Sequence, residues 1–219
     1  MTRALIFDFD GVIVNSEPVQ FEVFRDLLAE EGIAITAKEY EAGYLALDDR
    51  RCFEIALARA GRPADPGHLD ALVARKMARY EIARTRAPAV PGIHAFVRAA
   101  DGHVALAIAS GGFRSDIEAL LAHHGLRSHF PVVVSIEDCR RGKPDPECLH
   151  ACLSRLNAGM PTPILPAECV VIEDSFHGIT AARAAGMRCI GVATTYPPER
   201  LAGAERVVAT LEGLDPLGL

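Results

Sequence analysis

Five short apolar runs alternate with helix-like segments, and this alternation constrains the fold more than any other feature of the sequence. The runs are rich in Val, Ile and Ala and lie at 4–9, 103–110, 131–135, 169–174 and 189–194. Such continuous apolar strands are typical of a parallel sheet that is covered on both faces. Helical patterns are predicted between most of them, at 92–101, 114–124, 145–157 and 176–185. We therefore predict an α/β fold with a doubly wound parallel sheet, whose ligands bind beyond the carboxyl ends of the strands.

The segment between the first and second runs has a different pattern. Residues 17–86 show no strand signal, and apolar residues recur there at three- and four-residue steps. This periodicity predicts four helices, at 18–32, 36–45, 50–61 and 67–85. A crossover between parallel strands needs only about a dozen residues, so a segment this long indicates an inserted domain. We predict an α/β core at 1–16 and 87–219, with a helical insertion at 17–86.

Composition and charge exclude several classes of protein. The formal net charge of −6 argues against binding to nucleic acid, which requires a basic face. The chain runs almost directly into its first strand-like segment and contains no apolar run of membrane-spanning length, so we expect neither a signal peptide nor a membrane partner. The six cysteines include no CxxC pair, so we expect reduced thiols and a cytoplasmic location.

Polar side chains follow three of the predicted strands at the edge where ligands bind in such a sheet. These residues are Asp8 and Asp10, then Ser110 and Gly111, then Glu173 and Asp174. Clustered carboxylates fit a hard cation such as Mg²⁺. The Ser-Gly-Gly turn before a helix fits a phosphate, because its N–H groups and the helix dipole favour an anion. Lys143, in a loop after the third run, would add positive charge for a phosphate or a carboxylate.

Four segments together resemble the haloacid dehalogenase superfamily: DFDGV, AIASGG, GKPDPECL and VVIEDSFHGITAARAAGM. The helical insertion looks like the cap of the subgroup that contains β-phosphoglucomutase and phosphoglycolate phosphatase. The resemblance covers essentially the whole chain. It implies a Rossmann-like catalytic core, a helical cap, and phosphoryl transfer to and from a small phosphorylated metabolite.

The resemblance also implies a role for each residue of the cluster. Asp8 would be the nucleophile that forms an aspartyl-phosphate, and Asp10 would protonate the leaving group and then activate water. Mg²⁺ would be held by the Asp8 carboxylate, the Asp10 carbonyl and Asp174, with Glu173 as a ligand or a supporting residue. Phosphate-binding groups would come from Ser110, Gly111 and Lys143.

Small features of the insertion distinguish a phosphatase from a mutase. Mutases of the subgroup carry a His in the first cap helix that assists proton transfer, and Gln20 occupies that place here. The mutase loop that holds the second phosphate is replaced by a segment with Asp48 and Asp49 before Arg50. Arg50 and Lys76 remain candidates for a substrate contact. We predict a Mg²⁺-dependent phosphatase of a sugar or sugar-alcohol phosphate, with a sugar-phosphate mutase as the alternative.

Other classes agree less well with the sequence. The dehalogenases of the superfamily lack the second acid that Asp10 supplies, and a receiver domain would have neither the insertion nor its acceptor Asp on the first strand. A non-catalytic phosphate-sensing protein would not need both Asp8 and Asp10. A monomer is expected for this type of cap.

Overall fold

A computed structural model describes residues 1–45 and 47–219 of the chain. The described residues form two compact units. The core unit comprises Met1–Asn15 and Pro88–Leu219, and the helical unit comprises Ser16–Ala87.

The helical unit contains four α-helices over its described residues, which correspond to the four periodic segments. They are α1 (Glu17–Glu30), α2 (Ala37–Gly43), α3 (Asp49–Arg59) and α4 (Pro66–Ala83). Thr36 begins α2 with a reciprocal capping box to Glu39, which satisfies backbone N–H groups that a helix start leaves unpaired. Phe24 packs against Tyr40, Tyr44 and Phe53, with ring centroids 5.0 to 5.7 Å apart. This aromatic cluster gives the unit a hydrophobic core of its own.

The core unit is built on a six-stranded sheet in which every described pair of neighbours is parallel. Its strands are β1 (Ala4–Phe7), β2 (Ala105–Ala109), β3 (Val132–Val134), β4 (Cys169–Glu173), β5 (Arg188–Val192) and β6 (Arg206–Val208). Their spatial order is β3-β2-β1-β4-β5-β6. The predicted α/β class with a parallel sheet is confirmed. The sequence did not predict β6, because this edge strand has three residues and none of them is fully buried.

Helices cover both faces of this sheet. They are α5 (Ile93–Ala100), α6 (Arg114–His123), α7 (Glu147–Asn157) and α8 (Phe176–Ala184). From β1, Phe7 packs edge-to-face on Phe96 of α5, with centroids 6.0 Å apart. The preceding residue, Ile6, belongs to the opposite cluster with Leu149 of α7 and Ile179 of α8. None of these helices, nor any other described helix, is both long and apolar enough to span a membrane.

The cysteines differ in one respect from the expectation of six reduced thiols. Cys139 and Cys148 form a disulfide, with Cα atoms 5.7 Å apart. The expectation is wrong for this pair because the chain after β3 folds back, so that the start of α7 lies beside Cys139. The remaining four cysteines are free and buried: Cys52, Cys152, Cys169 and Cys189.

Candidate active site

The turn after β1 carries the two aspartates of the first motif. The N–H of Asp8 donates to the carbonyl of Ile172 at 2.9 Å, so the backbone still follows the sheet at this residue. The chain then curls away at Gly11, whose φ of 73° lies in the left-handed region that favours glycine. The N–H of Gly11 donates to the carbonyl of Val14 at 2.7 Å and closes the turn. Asp8 is thereby held at the carboxyl end of the central strand.

An ammonium group lies between two carboxylates at this end of the sheet. Lys143 Nζ is 2.8 Å from Asp8 Oδ1 and 2.6 Å from Glu173 Oε1. The Lys143 side chain is only 11% exposed and that of Glu173 is fully buried. Three residues that are far apart in sequence thus form one buried ion-pair group, as the convergence of strand ends predicts.

Glu173 is held from both sides. Lys143 donates to Oε1, while the N–H and the hydroxyl of Ser175 donate to Oε2 at 2.8 and 2.9 Å. A Cβ on Gly178 would lie 1.6 Å from Oε1, so the first turn of α8 can pack against the carboxylate only with glycine there. Each oxygen of Glu173 therefore already has a protein donor, which fits a supporting residue better than a primary metal ligand.

Burial is the largest influence on the pKa values of Asp8 and Asp174. It raises the pKa of Asp8 to about 7, helped by the negative charge of Glu173 and opposed by Lys143. Burial also raises the pKa of Asp174 well above its usual value, and the charges of Glu173 and Asp8 add to this effect. For Lys143, burial lowers the pKa, but the charges of Asp8 and Glu173 outweigh it and the pKa rises. Lys143 therefore stays charged, but its single positive charge does not balance the three carboxylates of Asp8, Glu173 and Asp174.

The donor set fits a hard divalent cation. Asp8, Glu173 and Asp174 each offer a carboxylate oxygen, and these oxygens lie within 4.8 Å of one another. Three carboxylates face one ammonium, so a cation would relieve their mutual repulsion, which adds to burial in raising the pKa values of Asp8 and Asp174. Oxygen ligands at a few protein positions suit Mg²⁺, which retains several waters.

The second strand end brings Ser110 to the other aspartate. Ser110 is buried and its hydroxyl accepts a hydrogen bond from the N–H of Gly112 at 2.9 Å. A Cβ on Gly112 would lie 3.3 Å from Ser110 Oγ and 3.5 Å from Asp10 Oδ2, so both side chains flank this glycine. Gly111 is exposed, and no other residue would lie within 4 Å of a Cβ there. The Ser-Gly-Gly turn thus has an open backbone beside Asp10.

Within the helical unit, two of the three candidate substrate residues lie together. Lys76 is buried and donates to Gln20 Oε1 at 2.6 Å, and it forms an ion pair with Asp49. Arg50 is not part of this group, because it pairs with Asp70 on α4. The sequence shows Asp49 next to Arg50, a candidate substrate contact, but has no pattern that would predict the ion pair of Asp49 with Lys76.

Sequence reasoning also missed three residues that support the core cluster. Ser175 directly follows the Glu-Asp pair, and its place as the N-cap of α8 was the available signal. Gly178 could be recognised only from its contact with Glu173. Thr195, which hydrogen-bonds Asp174, lies in a loop after β5 with no distinguishing pattern.

Comparisons with known proteins identify the family of the chain. A model of haloacid dehalogenase-like hydrolases matches residues 2–186. The fructose-1-phosphate phosphatase YqaB of Escherichia coli is 31% identical over 86% of this chain and 95% of its own length. Hexitol phosphatase B of E. coli is 28% identical over 86% of this chain and 82% of its own length.

A solved structure gives the same result for the fold. CbbY from Rhodobacter sphaeroides, crystallised with phosphate, superimposes with a TM-score of 0.81 at 25% identity, and all of each chain is covered. With these relatives and this arrangement of strand ends, the chain belongs to the haloacid dehalogenase-like hydrolase family, as an enzyme that hydrolyses phosphoric monoesters.

Proposed function

We propose that this chain is a Mg²⁺-dependent phosphatase that acts on a sugar or sugar-alcohol monophosphate through an aspartyl-phosphate. The observation that carries the proposal is the buried contact of Asp8 with Lys143, beside Glu173 and Asp174 at the end of β1. Sugar-phosphate chemistry is supported by the relatives named for fructose 1-phosphate and hexitol phosphates.

In the first step Asp8 attacks phosphorus with a carboxylate oxygen, and the bond to the substrate alkoxide breaks. Lys143 holds Asp8 Oδ1, so it orients the nucleophile and lowers its pKa toward the ionised form that attack requires. Asp10 protonates the departing alkoxide. In the second step Asp10 takes a proton from water, which attacks the aspartyl-phosphate and releases inorganic phosphate.

Three groups would bind the phosphoryl oxygens as negative charge develops on them. These are the Ser110 hydroxyl, the Gly111 N–H and the Lys143 ammonium. The residues that would hold Mg²⁺ are Asp8, Asp174 and the Asp10 carbonyl, with Glu173 orienting Lys143 behind them. The ion, when bound, neutralises charge on the phosphoryl group.

The helical unit would select the substrate, and its charges favour a monophosphate. Lys76 is already paired with Asp49 and Gln20, so it offers little net positive charge to a second phosphate. Gln20 cannot relay a proton as a histidine would. A mutase must bind a bisphosphate intermediate and turn it over, so both features support the phosphatase over the mutase.

The test is a hydrolysis screen over fructose 1-phosphate, hexitol phosphates, other phosphorylated metabolites and p-nitrophenyl phosphate, measured as released phosphate. Asp8→Asn should lower kcat by on the order of 10³-fold or more, as expected for loss of a nucleophile. Asp101→Asn, which changes an exposed aspartate of the core unit, is the matched control. Chelation should abolish activity and Mg²⁺ should restore it.

Two results would contradict the proposal. One is hydrolysis by Asp8→Asn at the wild-type rate, which would remove the nucleophile assignment. The other is conversion of β-glucose 1-phosphate to glucose 6-phosphate faster than the release of free phosphate, which would establish the mutase.

A further inference from the structure

A threonine outside the four motifs contacts one of the candidate metal ligands, Asp174. Thr195 lies three residues after the end of β5, the strand that neighbours β4. The register of these strands pairs Glu173 with Gly191, so the loop after β5 begins beside the Glu-Asp pair. The N–H of Thr194 donates to Val192 at 2.9 Å, which keeps the loop close to the strand end.

The side chain of Thr195 meets Asp174 beside the nucleophile turn. A Cβ on Gly11 would lie 1.8 Å from Asp174 Oδ2 and 2.8 Å from Thr195 Oγ1. The two side-chain oxygens therefore occupy the space that the missing side chain of Gly11 leaves. Since an ionised carboxylate only accepts hydrogen bonds, the Thr195 hydroxyl is the donor. This hydrogen bond lowers the pKa of Asp174, against the larger effect of burial.

We propose that Thr195 is a positioning residue for Mg²⁺ binding, which fixes the Asp174 carboxylate so that its remaining lone pairs face the cation. The inference rests on the proposed function, in which Asp174 is a ligand. A buried carboxylate that accepts a hydrogen bond from a neighbouring side chain has its rotamer restricted before the metal binds. Hydrogen-bond partners of metal ligands contribute about 10- to 100-fold to metal affinity in well-studied sites.

The hydrogen bonds around Glu173 do not replace the one between Thr195 and Asp174. The two donors from Ser175 and the one from Lys143 are directed at Glu173, the adjacent residue. Glu173 and Asp8, the other carboxylates near Asp174, cannot donate a hydrogen bond to it when ionised. The Thr195 hydroxyl is thus the side-chain donor that lies against Asp174 beside Gly11.

The experiment is calorimetric titration of metal-free protein with Mg²⁺, without substrate. Thr195→Val keeps the shape of the side chain and removes the donor, and it should raise the Kd for Mg²⁺ by about 10- to 100-fold. Thr195→Ser retains the hydroxyl and should bind Mg²⁺ nearly as the wild type does. Thr194→Val makes the same change one residue away and is the matched control.

Turnover provides a second measurement. At saturating Mg²⁺ the Thr195→Val enzyme should recover most of its kcat with KM for the phosphate ester unchanged, because the defect lies in metal binding. Should Thr195→Val not fold, as judged by circular dichroism, Thr195→Ala is titrated in its place.

The outcomes separate the inference from the function on which it rests. Wild-type Mg²⁺ affinity in folded Thr195→Val or Thr195→Ala, together with lost affinity in Asp174→Asn, would overturn the role of Thr195 alone. Absence of Mg²⁺ binding by the wild type, or wild-type binding by Asp174→Asn, would overturn the proposed metal site itself.

Discussion

Replacing Lys143 by methionine should destabilise the metal-free protein by about 3 to 5 kcal/mol at pH 8. The variant keeps most of the side-chain volume and removes the charge that Asp8 and Glu173 share. An exposed ion pair would be worth only about 0 to 1 kcal/mol. The larger figure applies because Lys143 is 11% exposed, Glu173 is fully buried, and the ammonium lies 2.8 and 2.6 Å from its two partners.

The loss should also depend on pH. Lys143 lowers the pKa of Asp8, so in its absence this pKa rises above the present value of about 7. A carboxyl whose pKa is raised by folding costs stability above its folded pKa, and the cost disappears as pH falls toward its unfolded pKa. The deficit of Lys143→Met should therefore be smaller at pH 5 than at pH 8, because Asp8 then takes up a proton in the folded state.

The assay is urea denaturation of chelator-treated protein, followed by far-ultraviolet circular dichroism at both pH values. Lys38→Met, at an exposed position on α2, is the control and should change stability little. Adding Glu173→Gln to Lys143→Met should recover part of the loss, because it removes a carboxylate left without its partner. A deficit below about 1 kcal/mol, as for a surface pair, or one that does not vary with pH, would refute this reasoning.

Three further results are expected. Asp49→Asn removes the carboxylate paired with Lys76, so it should strengthen inhibition by a sugar bisphosphate relative to a monophosphate. Asp70→Asn, which changes the partner of Arg50, is its control. Equal inhibition constants of the bisphosphate for Asp49→Asn and the wild type would contradict the monophosphate assignment. Gly178→Ala places a methyl group where the Glu173 carboxylate lies, so it should lower the free energy of unfolding by about 1 to 3 kcal/mol, measured by thermal unfolding. An unchanged melting temperature would argue against this packing. Alkylation of the denatured, unreduced protein should label four thiols and leave one disulfide; six labelled thiols would contradict the pairing.

The sequence predicted which residues of the candidate site lie together, because strand topology brings distant motifs to one edge of the sheet. Each of the five apolar runs contains a strand, and parallel strands place their terminal residues at one edge of the sheet. The contact of Asp8 with Lys143 follows from that rule once the motifs are recognised. Helices of the insertion were equally predictable, since each has its own apolar face.

What the sequence missed depends on contacts without a local signature. The strand β6 is three residues long and lies at a sheet edge, where an apolar run is not required. Whether Cys139 pairs with Cys148 is decided by the path of the loop between them rather than by their spacing. The sequence around Thr195 has no distinguishing pattern, and its role depends on the ends of β4 and β5 lying side by side. The pairing of Lys76 with Asp49 depends on the packing of α3 on α4.

Trapping of the phosphoryl group on Asp8 tests the central claim most directly. The enzyme would be mixed with substrate, quenched in acid and treated with borohydride, which reduces an acyl phosphate to an alcohol, and its peptides would be analysed by mass spectrometry. We expect homoserine in place of Asp8 only when substrate is present, and none when Asp8 is changed to Asn. Turnover with Asp8 unmodified at every quench time, or with the phosphoryl group on another residue, would contradict the account.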